Sequence, residues 1–435
     1  MEACKLKIVS FLKKEKNLSK DFIITICSQV VLMIITLAIN KVNSINLGVT
    51  NFSIFTLAKR SVGIVSGIMA LSLGISIPRY IVLKRNATNK YGYFYAGLLL
   101  VTILSCVLIL ISFFLKTSLS KLLFDDVDLI YLVMPTIIYS FSGALTVIIY
   151  SYYRGCNKYF LYNLVQIISY FAMLISSFLI KDNMKLIFIL WSLSNFFITL
   201  FFTIIIITFD IKKNNYTFSF KEIFRDIKEL FVYGCPRVLG EISLFSFTTI
   251  PLIIIAHYSG IENNYLMSVP INVCTTIFPV FSFTGVIFLT YVSNAISEND
   301  VKKIKKPLLF IGLVYLLGSF VVCIFISIFP DFFIKLLFSE EYVACSPYLR
   351  VIIWSIIPAS IYYLLRNPID ALDNVPWNTF ALLISFAVLC GMIIIFNSSN
   401  YLYALAYVVG YLVLGSLSFA FYIICYKKQI KREKN

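Results

Sequence analysis

Two adjacent cations interrupt an otherwise apolar stretch of the chain. Lys59 and Arg60 lie about two turns inside the second apolar segment, beside Ser61 and Gly63. Charged side chains are costly in hydrocarbon and usually face a partner or a water-filled cavity. Two interpretations follow. The side chains extend back to the lipid headgroups, as long basic side chains do, or they form a cationic patch able to bind an anion.

A second charged pair begins the seventh apolar segment. Arg237 and Glu241 are four residues apart, which places them on one face of a helix, where they can form an ion pair. Such a pair can simply neutralise two charges near the membrane interface. Alternatively, Arg237 faces a cavity and Glu241 holds its orientation.

Polar residues form two stripes at helical spacing. Four of them in the first apolar segment are separated by 4, 7 and 4 residues, which places them on one narrow face. Arg237, Glu241 and Thr248 repeat the first two spacings in the seventh segment. We therefore predict that both helices line an aqueous cleft. The predicted cleft-lining residues are Thr25, Gln29, Thr36, Asn40, Glu241 and Thr248.

Residue types needed for catalysis or metal binding are scarce. The chain has one histidine, and its ten cysteines form no C-x-x-C pair. Most of these cysteines fall in apolar segments, where cysteine behaves as a small hydrophobic residue. We therefore expect no enzyme, no metal site and no cofactor.

The composition defines the elements that must position these residues. Of the 435 residues 60% are hydrophobic and 13% charged, and the mean hydropathy is +0.90. Soluble domains are about half apolar and a quarter charged, so a soluble enzyme and a nucleic-acid-binding domain are excluded. The chain is predicted to be an all-α polytopic membrane protein. Twelve apolar runs, each near the length of about 20 residues that spans a bilayer, lie at 22–42, 52–78, 93–115, 129–152, 161–180, 186–209, 235–258, 264–292, 307–329, 348–368, 378–396 and 401–425.

The basic residues are distributed unequally between the two sides of the membrane. If successive segments cross in opposite directions, 27 of the 37 lysines and arginines fall on one side and six on the other. Cytoplasmic loops carry the excess of basic residues. Both termini are therefore predicted to be cytoplasmic, and the net charge of +16 is mainly an orientation signal, with some attraction to anionic lipid.

The chain contains an internal repeat. A shift of 212 residues places Gly48 and Asn51 on Gly260 and Asn263, and the Tyr-x-x-x-Arg pattern ending at Arg154 on that ending at Arg366. Six helices per half would make the halves parallel repeats, which predicts two six-helix lobes around a central cleft. The predicted parts are an N-terminal tail (1–21), an N-lobe (22–209), a linker (210–234), a C-lobe (235–425) and a C-terminal tail (426–435).

Four stretches of the sequence resemble one transporter family. They are NLGVTNFSIFTLAKRSVGIVSGIMALSLGISIPRY (46–80), YYRGCNKYFLYNLVQI (152–167), VYGCPRVLGEISLF (232–245) and LRNPIDALDNVPWNTFALLI (365–384). Together and in this order they are similar to the polysaccharide (oligosaccharide-lipid) flippases of the multidrug/oligosaccharidyl-lipid/polysaccharide exporter superfamily. The third stretch departs from the family's P-R-V-P-G-D pattern, because Leu239 replaces the second proline and Glu241 the aspartate.

The resemblance implies a substrate and its site. The expected substrate is an oligosaccharide repeat unit on a polyprenyl pyrophosphate, moved from the cytoplasmic to the outer leaflet by alternating access for surface-polysaccharide biosynthesis in a bacterial or archaeal cytoplasmic membrane. Membrane lipid and a glycan polymerase or other assembly proteins are the expected partners, and coupling to the membrane potential, Na⁺ or H⁺ stays open. Arginine is expected to bind the pyrophosphate head of this substrate, because a guanidinium group donates two hydrogen bonds to a pair of phosphate oxygens. The expected substrate-binding residues are an inner set of Arg79, Arg154, Arg237 and Arg366, followed further out by Lys59 and Arg60.

Three other functions remain open. A multidrug or toxin antiporter of the same superfamily would be expected to place acidic residues in its lobes, where this chain places basic ones. A peptidoglycan-precursor flippase often has fourteen helices. A membrane glycan polymerase would be expected to carry a paired acidic motif and a large outer loop, which this sequence lacks.

Overall fold

The computed structural model describes residues 16–83, 91–211, 219–297, 300–373, 375–397 and 399–434. The predicted N-terminal tail lies mostly outside the described residues, as do residues 84–90 of the predicted N-lobe, residues 212–218 of the predicted linker and residue 435.

Fifteen α-helices, with short 3₁₀ and π segments at some of their ends, make up the described residues, and no strand occurs among them. The prediction of an all-α membrane protein is confirmed. The helices are α1 (Lys16–Ala70), α2 (Leu73–Leu83), α3 (Gly92–Phe114), α4 (Lys116–Phe124), α5 (Ile130–Gly155), α6 (Tyr159–Leu179), α7 (Met184–Ile205), α8 (Phe220–Ser259), α9 (Tyr265–Ser297), α10 (Lys305–Ile328), α11 (Pro330–Leu337), α12 (Ser346–Ile352), α13 (Ile356–Leu372), α14 (Trp377–Ile395) and α15 (Asn400–Lys434).

Eleven segments of the described chain are long and apolar enough to cross a membrane. The first, Ile24–Val82, has 59 residues, more than twice the length of about 20 that one crossing needs. Gly48 interrupts it with a non-helical backbone conformation, φ 68° and ψ 177°. The two predicted N-terminal spans therefore share one long segment that is kinked at Gly48, which accounts for the difference between eleven and twelve.

The backbone repeats this kink in the second half of the chain. Gly260, 212 residues after Gly48, also has positive φ (81°) and separates α8 from the 3₁₀ turn that precedes α9. Glycine adopts this left-handed region without the steric penalty of a Cβ atom. The same unusual conformation at equivalent positions supports the internal repeat.

The predicted helix over 52–78 does not continue to its end. Leu71 and Ser72 have φ values of 44° and 53°, and they separate α1 from α2. Two consecutive non-glycine residues in this region cost of order 1–2 kcal/mol each. The apolar pattern continues across the break, so hydropathy alone could not reveal it.

The chain divides into two compact units, one of which contains residues 65–116 and 131–238 together with the chain up to Ile39. Its core is aromatic: Trp191 is fully buried, its ring lies 5.5 Å from that of Tyr139, and its indole N–H donates to the carbonyl of Met173. Buried tryptophan usually finds such a partner.

The other unit contains residues 40–64, 117–130 and 239–435. Packing of α9, α10 and α13 with α15 buries an apolar cluster around Phe288, Leu364 and Ile369. The boundaries of the predicted lobes stay a prediction.

Candidate functional site

Two predicted arginines meet at one tyrosine ring in the unit that contains residues 65–116 and 131–238. The Cζ atoms of Arg79, from α2, and Arg237, from α8, lie 4.6 Å and 3.8 Å from the ring centroid of Tyr233. Arg79 also donates a 2.6 Å hydrogen bond to the Tyr233 hydroxyl, and Arg237 donates to the Tyr233 carbonyl. The two guanidinium groups therefore each make a cation–π interaction with the Tyr233 ring. Both positive charges lie within 5 Å of the centroid of this ring.

The backbone explains how α2 reaches α8. The left-handed residues Leu71 and Ser72 end α1 and start α2, which carries Arg79 seven residues further on. Gly234, next to Tyr233, lies so close to Leu71 that a Cβ atom added there would be 2.3 Å from the Leu71 carbonyl oxygen. A side chain at position 234 would force the two segments apart, so glycine permits the contact.

A cavity of about 460 Å³ adjoins this tyrosine. Its lining includes Tyr80 of α2 and the apolar residue Val232 of α8. The Tyr80 ring packs on Tyr93 at 5.0 Å and edge-on to Tyr233 at 5.8 Å. The charged or hydrogen-bonding residues of α8 that line the cavity are Arg225, Lys228, Glu229, Tyr233 and Arg237.

The acid of this cavity is already engaged by other groups. Glu229 accepts a 2.5 Å hydrogen bond from the Tyr93 hydroxyl and lies 3.9 Å from Arg225. Arg225 also contacts the buried Asp226 at 3.4 Å. By contrast, no carboxylate oxygen of the described residues lies within 4.0 Å of Arg79 or Arg237.

The expected ion pair between Arg237 and Glu241 is not formed. Arg237 turns toward the preceding turn of α8, because the Tyr233 ring and carbonyl offer it two contacts. Glu241 is partly buried in the other unit. Arg237 therefore binds an aromatic ring where the sequence predicted an acid.

Lys59 and Arg60 lie together in α1, inside the candidate span Ile24–Val82 and within the unit that contains residues 239–435. Arg60 donates to the side-chain oxygen of Asn272 at 2.6 Å and to the Thr248 carbonyl at 3.5 Å. Its Nε atom is buried and has no acceptor among the described residues. Lys59 donates to the side chain of Asn40 at 3.0 Å. Arg60 is therefore an embedded cation with neutral partners.

Arg154 and Arg366, the two remaining predicted arginines, contact neither Tyr233 nor the partners of Lys59 and Arg60. Arg154 is exposed at the last turn of α5. Arg366 lies near the end of α13, where its carbonyl accepts a hydrogen bond from Asn378. Neither guanidinium has a described carboxylate within 4.0 Å. Their role in substrate binding stays a prediction.

The predicted polar stripe of the first helix makes hydrogen bonds inside the protein. Thr25 accepts from Asn163 at 3.1 Å, and Gln29 donates to Gln166 at 3.2 Å, so both contact α6. Thr36 donates to the carbonyl of the preceding turn. Interhelical hydrogen bonds of this kind satisfy polar side chains within a membrane, and a cleft-lining role for the stripe stays a prediction.

The sequence analysis missed several residues of these sites, although signals for them exist. Tyr233 precedes Arg237 by one helical turn, the spacing at which helix side chains meet. Asn272 is the repeat equivalent of Arg60, since 212 residues separate them. Among the described residues, no cluster of three His, Cys, Asp or Glu side chains could hold a metal ion.

Comparison with known proteins finds similar solved structures but no similar sequence. No protein-family model and no curated protein matches the chain. Three solved structures are similar to it over most of its length. They are the inward-facing conformation of a multidrug resistance MATE family transporter of the MOP superfamily (TM-score 0.78, 14% identity, 94% of this chain and 99% of that one), the lipid II flippase MurJ in an inward closed conformation (0.73, 16%, 94% and 90%), and a MOP superfamily transporter from Pyrococcus furiosus described as having a binding pocket of reverse polarity (0.68, 15%, 95% and 96%).

The fold is therefore that of the MOP superfamily transporters. This agrees with the resemblance found in the sequence, and the eleven long apolar segments of the described residues agree with a multi-pass membrane protein. The sequence identities of 14–16% show the fold alone.

Proposed function

We propose that the protein is a flippase that moves a polyprenyl-pyrophosphate-linked oligosaccharide from the cytoplasmic to the outer leaflet of a bacterial or archaeal cytoplasmic membrane. Both termini would be cytoplasmic, and a glycan polymerase or other assembly proteins would use the product. Arg60 is the observation that carries the proposal. It is an embedded cation whose contacts are a neutral amide and a carbonyl, and one of its nitrogens lacks an acceptor.

An embedded cation without a carboxylate favours an anionic cargo. A buried charge is costly unless it is paired, and guanidinium hydrogen bonds to an ionised acceptor are about twice as strong as neutral ones. A pyrophosphate would supply the missing charge and two acceptor groups. The prenyl tail of such a substrate could stay in lipid while the head moves.

Proteins with this fold could carry two other classes of cargo. A peptidoglycan precursor has the same type of lipid diphosphate head, and one similar structure is a lipid II flippase. An antiporter of cationic drugs would require carboxylates where this chain places Lys59 and Arg60. The charge of Arg60 therefore favours a lipid-linked anion and leaves the sugar unidentified.

The test uses cells that lack the protein and measures the lipid-linked glycan on each leaflet. We expect the glycan to accumulate on the cytoplasmic leaflet, and wild-type protein to restore its export. Arg60→Gln should not restore export, although Arg350→Gln, which removes an exposed arginine elsewhere in the chain, should.

Membrane levels of each variant are measured in the same cells, so that loss of protein is not mistaken for loss of function. Resistance to cationic drugs is measured in parallel. The flippase proposal is wrong if glycan distribution is unchanged without the protein in cells that hold no second flippase, and drug sensitivity in the same cells would favour the antiporter.

A further inference from the structure

We propose that the first turns of α8, residues 220–232, form an interfacial helix that binds the surface of an anionic lipid leaflet, on the side predicted to be cytoplasmic. Three phenylalanines on one face of these turns enter the boundary between headgroups and acyl chains. Lysines on the adjoining face contact the lipid phosphates. The inference does not depend on the cargo.

The first argument is the length of α8. It has 40 residues, about twice the number that crosses a bilayer. Residues 242–259 contain no lysine, arginine, aspartate or glutamate, whereas residues 220–232 contain six. A segment with so many charges is too polar for the hydrocarbon of the bilayer. Residues 242–259 are therefore the part of α8 that spans the membrane, and residues 220–232 lie at its border.

The second argument is an exposed aromatic face. Phe220, Phe224 and Phe231 are separated by four and seven residues, which places them within about 40° of one another around the helix. Their exposed fractions are 69%, 68% and 43%. A different face carries Ile223 and Leu230, which are buried in the protein. The helix therefore packs on the protein through one face and leaves three large rings for an apolar neighbour.

The third argument is the separation of opposite charges around the helix. Lys221, Arg225 and Lys228 lie within about 60° of one another, beside the aromatic face. The three acids lie on the side opposite the phenylalanines and are Glu222, Asp226 and Glu229. With the rings pointing into the membrane, the cations are level with the lipid phosphates and the acids face away from them. This order is typical of helices that lie in the membrane interface.

The two lysines of this face have no acid partner among the described residues. Arg225 contacts Asp226 at 3.4 Å and Glu229 at 3.9 Å. No described carboxylate lies within 4.0 Å of the ammonium group of Lys221 or Lys228, and both lysines are exposed. A second copy of this chain is a poorer partner than lipid, because the side predicted to be cytoplasmic carries 27 of the 37 basic residues and repels its own copy.

The first test locates one of the phenylalanines relative to the membrane. A trifluoromethyl-phenylalanine takes the place of Phe224 in the full-length protein, in nanodiscs that contain phosphatidylglycerol. Relaxation of its fluorine signal is measured with oxygen, which concentrates in the bilayer, and with a gadolinium chelate, which stays in water. The same label in place of Phe320, exposed on α10, or of Lys431, exposed near the end of α15, gives the lipid and water references. We expect the label at position 224 to respond to oxygen more strongly, and to the chelate more weakly, than the label at position 431.

The second test varies the charge of the lipid and of the helix. In nanodiscs of phosphatidylcholine alone, relaxation of the label by the chelate should rise about twofold, because the lysines lose the negative surface that attracts them. Lys221→Gln together with Lys228→Gln should cause the same rise in nanodiscs that contain phosphatidylglycerol. Lys302→Gln together with Lys306→Gln is the matched control. It removes two exposed lysines from the side predicted to be cytoplasmic and should leave the relaxation unchanged.

Three results would overturn the interfacial helix: a response to the chelate at position 224 equal to that at position 431, equal responses in the two kinds of nanodisc, or equal effects of the two double variants. Each protein is first checked for a wild-type elution profile and unfolding temperature. If the label at position 224 impairs folding, the label in place of Phe231 is used. Glycan export does not enter these measurements, so this proposal and the flippase proposal succeed or fail separately.

Discussion

Arg60 combines three properties that rarely occur in one residue of a membrane span. It lies in an apolar segment, its hydrogen bonds go to neutral oxygens, and its Nε atom is buried without an acceptor. Asn272 orients the guanidinium and leaves its charge intact. An incoming anion could therefore displace a weak partner and gain a strong contact, an exchange that an acid at position 272 would prevent.

Replacement of this partner gives a specific prediction. Asn272→Asp would place a carboxylate 2.6 Å from the Arg60 guanidinium and neutralise it, so export of the glycan should fall at least tenfold while the protein stays folded. A charge-assisted hydrogen bond contributes about 1.5–3 kcal/mol, so the midpoint of thermal unfolding should not decrease. Leaflet distribution and unfolding in detergent are the measurements.

Asn263→Asp is the matched control, because Asn263 is exposed and its side chain donates to the carbonyl of Ser259, the last residue of α8. Wild-type export by Asn272→Asp would mean that the charge of Arg60 has a structural role alone.

At the scale of the helices, Gly234 determines how closely α8 approaches the end of α1. A methyl group at this position would lie 2.3 Å from the carbonyl oxygen of Leu71, a backbone atom that cannot turn aside. Overpacking of this kind costs about 1–3 kcal/mol. Gly234→Ala should therefore lower the midpoint of thermal unfolding in detergent and move α2 away from α8.

Gly318→Ala is the control for Gly234→Ala. Gly318 lies inside α10, and a Cβ atom added there meets nothing within 4 Å. Since alanine is favoured over glycine in a helix by about 1 kcal/mol, this variant should be as stable as the wild type or more so. An equal response of the two variants would show that the contact with Leu71 is unimportant.

The helices also show which features a sequence contains and which it does not. The apolar runs predicted the spans, and the 212-residue shift paired Gly48 with Gly260, which share a positive φ in the structure. The break at Leu71 and Ser72 was not predictable, since the apolar pattern continues across it and neither residue is a glycine. The contact of Arg237 with the Tyr233 ring was missed for a different reason: Glu241 is also four residues from Arg237 and carries the opposite charge.

At the scale of the whole molecule, the charge of the cargo determines how transport responds to voltage. A lipid-linked diphosphate diester carries about two negative charges, each of which gains about 2.3 kcal/mol per 100 mV in moving toward the positive side. An inside-negative potential of 100 mV would thus favour outward movement by about 4–5 kcal/mol. Export of a cation would be opposed by the same field.

Voltage dependence therefore discriminates between the candidate cargoes. In proteoliposomes with a potassium gradient and valinomycin, an inside-negative potential should accelerate movement of a labelled prenyl-diphosphate glycan from the inner to the outer leaflet, and the opposite potential should slow it. Sodium-free buffer at equal pH on both sides separates this effect from ion coupling, which the sequence leaves open. Equal rates at both potentials in that buffer would mean that no net charge crosses with the glycan, and a faster rate under the inside-positive potential would contradict an anionic cargo.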